Sequence, residues 1–336
     1  MRRLLIVHTD PGVHPLSPSQ LAALEALDAE VALVAESQWS RLPSLLERAD
    51  AVLNADFRLP ASLIARMRQC RVIARFGMGV DNIDVAAATA HGILVANVPA
   101  FGAEEVADRA LLLLLAAACR LPQSDAGVRN GRWRSGAPAL SAQVSGQMLG
   151  IVGLGRVGRA IARRAVGFGL QVAACDPFLA ADAFAEQRVT GLALEQLLST
   201  ADFVCLSLPL VPTTRHLIDE RRLALMKPSA ILINVARGGL VDQPALTVAL
   251  AAGRLAAAGL EVLEQEPPDP ADPLLRLDNV VFTPHTAAHT QRALDGIREQ
   301  AVNSVVQVLS GKRISNVVNP EVLNDRSNGV PNEISG

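Results

Sequence analysis

One stretch constrains the fold more than any other: GIVGLGRVGRAIARRAVGFGLQVAACDPF, residues 150–178. An apolar run leads directly into Gly153, and Gly153, Gly155 and Gly158 have the spacing G-x-G-x-x-G. Each glycine has its own mechanical role, in a tight turn, in a close backbone approach to a pyrophosphate, and in the packing of helix on strand. Val157, Ile161, Ala165 and Phe168 then recur at helical spacing, and Gly167 and Gly169 end the run. The N-terminus of such a helix presents unpaired N–H groups and positive dipole to phosphate oxygens. LQVAACD follows as a second strand, closed by Asp176, eighteen residues after Gly158. An acid there accepts hydrogen bonds from ribose hydroxyls and repels a 2′-phosphate. Strand, turn, helix, strand and acid in this order describe a dinucleotide site, with NAD as the expected cofactor.

This turn begins near the middle of a 336-residue chain, a length that suits two domains. Before residue 100 the segments LLIVHT, VALVAE, AVLNAD, RVIARFG and ILVAN read as strands, with SPSQLAALEALDA and SLLERA as helices between them. This is a parallel α/β unit of its own. After Asp176 the segments DFVCLSLPL, AILINVAR, LAAAGLEVL and NVVFTPH complete a six-stranded doubly wound sheet. TQRALDGIREQAVNSVVQVLSG is a long amphipathic helix, and the polar, turn-rich end reads as a disordered tail.

Composition removes other classes. Half the residues are apolar and the net charge is −2, with basic residues spread out, which argues against a nucleic-acid partner. Cys70, Cys119, Cys175 and Cys205 form no C-x-x-C pair, and MRRLLIVHTD reads as a first strand and not as a signal peptide. The cysteines therefore read as reduced, mostly buried thiols of a cytoplasmic protein. The run ALLLLLAAAC, 110–119, is too short to span a bilayer and lies between charged residues, so no membrane partner is expected. No metal site is expected either.

Three later strands lead into groups able to do chemistry. ILINVAR ends at Arg237, LEVLEQE delivers Glu266, and VVFTPH ends at His285. In an open parallel sheet, ligands sit beyond the carboxyl ends of the strands. A 2-keto acid needs a cation for its carboxylate and carbonyl, and a bidentate arginine suits this. Its carbonyl oxygen needs a proton as hydride arrives; histidine is the usual donor, and a carboxylate behind it fixes the tautomer. Singly, each would be a surface arginine, a solvated glutamate or a structural histidine. Together, downstream of a dinucleotide turn, they point to hydride transfer.

The stretches ARFGMGVDNID, GILVANVP, LGIVGLGRVG, CDP, LPLVPTTRHLI, LINVARGGLVD, EVLEQEP and TPH, spread over about residues 50–320, resemble the D-isomer-specific 2-hydroxyacid dehydrogenase family. The resemblance implies an α/β fold of two doubly wound parallel-sheet domains, a Rossmann cofactor domain inserted into a split flavodoxin-like substrate domain. Its boundaries would be 1–98 and 285–321 for the substrate domain, 99–284 for the NAD-binding domain, and 322–336 for the tail. It makes Arg237 the substrate arginine, His285 the acid/base, Glu266 the acid that orients it, and the Met78 and Gly79 N–H groups holders of the substrate carboxylate. Cofactor contacts would come from Gly153, Gly155, Arg156, Val157, Gly158, Asp176, Pro209, Thr214, Val235, Ala236, Arg237, Glu261, His285 and Ala287. Arg75, just ahead of the carboxylate loop, either reads a second anionic or polar group on the substrate or pairs with Asp81 or Asp84.

Two positions depart from the family. Glu261 stands where an aspartate usually contacts the nicotinamide amide, and TAAHT follows the histidine, adding His289 as a cleft-edge or surface residue. The EEVADRALLLLLAAACR helix is apolar over more of its circumference than one core face requires; the resemblance implies a two-fold interface in this region, so a homodimer is expected, the alternative being a helix buried within one subunit. RFGMGVDNID, GRVG and ARGGLVD also resemble the C-terminal binding protein corepressors, NAD-sensing scaffolds, although those carry a tryptophan soon after the histidine and TAAHT has none. A formate-type dehydrogenase is disfavoured because it replaces the glutamate beside the histidine with glutamine.

Overall fold

The computed structural model describes residues 2–99, 101–133 and 142–323. The chain divides into two compact units, Met1–Gly102 with Thr290–Gly336, and Ala103–His289. The second is thus inserted in sequence between the two parts of the first.

In the first unit, β1 (Leu4–His8), β2 (Ala29–Leu33), β3 (Ala51–Asn54), β4 (Val72–Arg75) and β5 (Leu94–Ala96) pair in parallel in the order β2-β1-β3-β4-β5, the flavodoxin-like order. The pleat sorts their side chains. Leu5, Val7, Val52 and Ile73 enter one core, while Ile6, Leu53, Val72 and Ala74 enter the other. Both faces are covered, which is why these strands read as continuous apolar runs. The helix Gln291–Leu309 closes one face, sending Ile297, Ala301, Val302, Val305 and Val308 into it at helical spacing. Val322, which opens the expected tail, is 1% exposed and belongs to the same core. The polar composition begins only beyond Leu323, and residues 324–336 of that tail lie outside the described residues.

In the second unit, β6 (Met148–Val152), β7 (Gln171–Cys175), β8 (Thr190–Gly191), β9 (Phe203–Leu206), β10 (Ile231–Asn234), β11 (Ala257–Leu260) and β12 (Val280–Phe282) form a parallel sheet, β12-β11-β10-β9-β6-β7-β8. This corrects the expected six strands to seven. The addition, β8, is a two-residue edge strand paired with Ala173 and Ala174, too short to show any periodicity. The strand order reverses between β6 and β9, which marks the ligand crevice of such a sheet.

The apolar run expected to be a buried helix is one. Ala103–Ala118 buries Leu111, Leu113, Leu114 and Ala117, while Leu112 is 52% exposed. Among the described residues no single helix is long and apolar enough to cross a membrane; this helix and Leu121–Arg129 would reach that length only as a pair bent by 60°. Cys70 and Cys205 are buried, Cys175 is half-buried and Cys119 is exposed, so the expectation of mostly buried thiols holds for two of the four.

Candidate active site

The glycine turn has the geometry that its spacing implies. Gly153 has φ +92°, and a Cβ there would stand 2.7 Å from the Ser207 carbonyl and 2.9 Å from Leu208 Cβ. At Gly158 a Cβ would run into the Gly153 carbonyl, so helix and turn touch through backbone. Gly155 is different: a Cβ there would meet nothing within 4 Å. The middle glycine therefore faces an open cradle at the start of the helix Arg156–Gly167, of which Arg156 and Val157 are the first two residues. Asp176, one residue past β7, accepts Leu154 N–H at 2.9 Å through Oδ2 and Phe178 N–H at 3.1 Å through Oδ1. A rigid carboxylate beside an open cradle at a helix N-terminus suits an NAD pyrophosphate and its adenosine ribose.

Three strand ends of this unit lead into the side chains expected to do chemistry. β10 is turned sharply by Asn234, whose Nδ2 donates to the Arg237 carbonyl at 2.9 Å and whose Oδ1 accepts Ala236 N–H at 3.1 Å. Arg237 follows in extended conformation, with Val235 buried behind it. At Gly238 a Cβ would overlap the Leu263 carbonyl, so the loops after β10 and β11 meet backbone to backbone. Leu263 N–H in turn donates to Glu266 Oε1 at 2.9 Å. The other carboxylate oxygen, Oε2, lies 2.6 Å from His285 Nδ1. Burial pushes the Glu266 carboxyl up, but the His285 hydrogen bond and charge, the Leu263 N–H and the Arg237 charge outweigh it and hold the group below its ordinary value of 4.5. A carboxylate can only accept, so Nδ1 carries the proton in this contact and Nε2 takes no part in it. The histidine side chain is 45% exposed.

Other expected contacts take these places. Thr214 Oγ1 donates to the Pro209 carbonyl and accepts Val211 N–H, both at 2.8 Å, fixing the turn after β9. Glu261 is buried, and its carboxylate accepts Arg109 Nη1 at 2.8 Å and Ala287 N–H at 2.5 Å. His289 is exposed, as expected of a surface residue. In the first unit, Asn97 Nδ2 donates to the Met78 carbonyl at 2.8 Å and Val98 N–H donates to the Gly77 carbonyl at 2.8 Å, which fixes the peptide planes leading to Gly79. Arg75 Nη1 donates to the Phe76 carbonyl at 2.7 Å, while Asp84 caps the helix Val85–Ala90 through Ala87 N–H. Two pairings carry no motif in the sequence: Arg109 with Glu261, and His216 with Glu264, whose Nε2 and Oε1 are 2.5 Å apart. Arg109 gives a faint signal, being a cation at the head of a buried apolar helix.

Residues 111–287 match the family model of the D-isomer specific 2-hydroxyacid dehydrogenase, NAD binding domain. The chain belongs to this family. It is 42% identical over 274 residues to the glyoxylate reductase of Korarchaeum cryptofilum, covering 81% of this chain and 82% of that one. It is 39% identical over 305 residues to the D-3-phosphoglycerate dehydrogenase of Mycobacterium bovis, 90% of this chain but only 57% of that protein, so it spans little more than half that relative's length. Among solved structures it is similar to the D-lactate dehydrogenase of Aquifex aeolicus complexed with NAD and lactic acid, at 27% identity and a TM-score of 0.83, covering 96% of this chain and 98% of that one. Membership makes the chain an oxidoreductase with NAD as its cofactor.

Proposed function

We propose that this dehydrogenase interconverts a D-2-hydroxy acid and its 2-keto acid, with His285 as acid/base, Glu266 as its partner and Arg237 as the substrate's cation. The observation that carries this reading is the 2.6 Å His285–Glu266 contact, with the Arg237 charge acting on the same carboxylate. Bound NADH supplies the hydride to the carbonyl carbon. His285 Nε2 gives its proton to the carbonyl oxygen, and in the reverse direction takes it from the hydroxyl. Glu266 holds the ring through Nδ1 and stabilises the imidazolium. Arg237 pairs with the substrate carboxylate and polarises the carbonyl. Within the first unit, the candidates for an anionic substrate are the Met78 and Gly79 N–H groups, with Arg75 for a second anionic or polar group.

The cofactor is held by Gly153, Gly155, Arg156, Val157 and Gly158 at the pyrophosphate and by Asp176 at the ribose. Pro209, Thr214, Val235, Ala236 and Ala287 line its remaining length. The protein acts in the cytoplasm as a homodimer. Support for the dimer comes from Leu112, Leu121, Val128 and Trp133, which are 52%, 55%, 49% and 76% exposed along two successive helices and just past them. NADH oxidation against a panel of 2-keto acids tests the reading. Turnover of one or more is expected; NADH binding without turnover of any would overturn it in favour of an NAD-sensing scaffold.

A further inference from the structure

Arg109 and Glu261 form an ion pair whose side chains are 20% and 1% exposed. A carboxylate this deeply buried is tolerated only when paired and hydrogen-bonded. Glu261 is both, and its other partners belong to the segment that carries His285. Thr283 Oγ1 donates to Oε2, Ala287 N–H donates to Oε1 at 2.5 Å, and His285 N–H donates to the Glu261 backbone carbonyl at 3.0 Å. Arg109 Nη1 reaches Thr286 Oγ1 at 3.5 Å. The residue two before the histidine and the residue two after it are therefore tied to one side chain. His285 itself has φ +52°, a left-handed conformation that a residue other than glycine keeps only when its surroundings impose it.

We propose that the buried Arg109–Glu261 pair is the positioning device of His285, and that Glu261 acts through the histidine and not by touching the nicotinamide. Arg109 neutralises Glu261, Glu261 fixes Thr283 and Ala287, and these hold the imidazole against Glu266. The inference rests on the acid/base reading of His285. It also accounts for the glutamate: an aspartate would draw the carboxylate back by ~1.5 Å, too far to serve Arg109 and Ala287 together.

The test uses the full-length Arg109→Met, Arg109→Lys and Glu261→Ala variants, with kcat, the NADH dissociation constant and amide exchange over residues 283–289 as readouts. Arg109→Met should lower kcat by roughly tenfold to a hundredfold, as small misplacements of a catalytic group do, with the NADH constant changed by less than about twofold. The Ala287 amide should lose its protection, and Arg109→Lys should recover most of the activity. Arg109→Met combined with Glu261→Ala should be no slower than the slower single variant, because both remove one device. A large loss of NADH affinity with kcat retained would overturn the proposal, since Glu261 would then touch the cofactor. A lowered Tm with kcat intact would overturn it too, leaving only a structural pair. Should Arg109→Met not fold, Glu261→Asp carries the same expectations. If the wild type reduces no keto acid, the dehydrogenase reading fails, while the Ala287 amide still decides whether Arg109 holds the segment.

Discussion

Glu266 Oε2 lies 2.6 Å from His285 Nδ1, and Glu266 Oε1 accepts the N–H of Leu263 at 2.9 Å. The carboxylate is thus held from one side by a backbone loop and from the other by the imidazole. Its orientation does not depend on its own rotamer alone. This is what a proton-donating histidine requires: a fixed tautomer and a fixed ring plane.

His285→Ala should reduce turnover by roughly a hundredfold to ten-thousandfold while NADH still binds. Glu266→Gln should be milder and should act through pH. The glutamate charge is what the His285 ring and the Leu263 N–H hold, so its loss shows in the response to acid. The acid side has its own sign. The Glu266 carboxyl is held below its ordinary 4.5, so its stabilising contribution is present above that value and is lost as pH falls through the lowered one. Tm of Glu266→Gln should therefore fall less steeply under acid than that of the wild type. Coincident pH profiles for the two proteins would break the pairing.

The parts of this site written in local sequence are legible there. The glycine turn, Asp176 and the three strand ends each lie within one strand–loop unit, where spacing dictates geometry. The Arg109–Glu261 pair joins residues 152 positions apart, and no local pattern announces it. The His216–Glu264 pair is hidden for the same reason. The edge strand Thr190–Gly191 escapes because two residues carry no period. Val322 reads as tail because composition averages over a window, whereas burial is decided residue by residue.

Asp176 should select NAD over NADP. Its oxygens are fixed by Leu154 and Phe178 N–H groups, so it cannot swing away from a 2′-phosphate. Two like charges about 4 Å apart cost on the order of 1–4 kcal/mol at intermediate dielectric, or about fivefold to a thousandfold in kcat/KM. Asp176→Asn removes the charge and keeps one acceptor, for Leu154 N–H, while giving up the one for Phe178 N–H, so it should narrow the preference. Equal use of both cofactors by the wild type would refute the assignment.

Light scattering should give twice the chain mass of 35.4 kDa. The exposed Leu112, Leu121, Val128 and Trp133 make the helices Ala103–Ala118 and Leu121–Arg129 the face to alter. Leu112→Glu should then yield monomer. A wild-type mass of 35.4 kDa at every concentration would remove the dimer.

Arg75 lies across Gly77, where a Cβ would overlap its guanidinium, and donates to the Phe76 carbonyl. It is held at the turn that leads into Met78 and Gly79. Arg75→Met should raise KM for a keto acid with a second carboxylate far more than for glyoxylate or pyruvate, because a hydrogen bond to a charged group is worth about 1.5–3 kcal/mol. One common factor for all substrates would mean that Arg75 serves only the loop or the shared carboxylate.

Gly238→Ala links backbone packing to the acid/base pair. The added Cβ would overlap the Leu263 carbonyl, and backbone there cannot yield as a flexible side chain would. Leu263 must shift, and its N–H is the anchor of Glu266 Oε1. Moving that anchor pulls Oε2 away from His285 Nδ1. The glycine turn at Gly153–Gly158 lies on another loop and is left alone. The expected result is a fall in kcat of about tenfold or more, with NADH affinity near that of the wild type. Glu266→Gln added to Gly238→Ala should then cost little more, because the contact is already broken. Full additivity of the two changes would show that Gly238 acts on Arg237 alone and that the Leu263 relay does not operate.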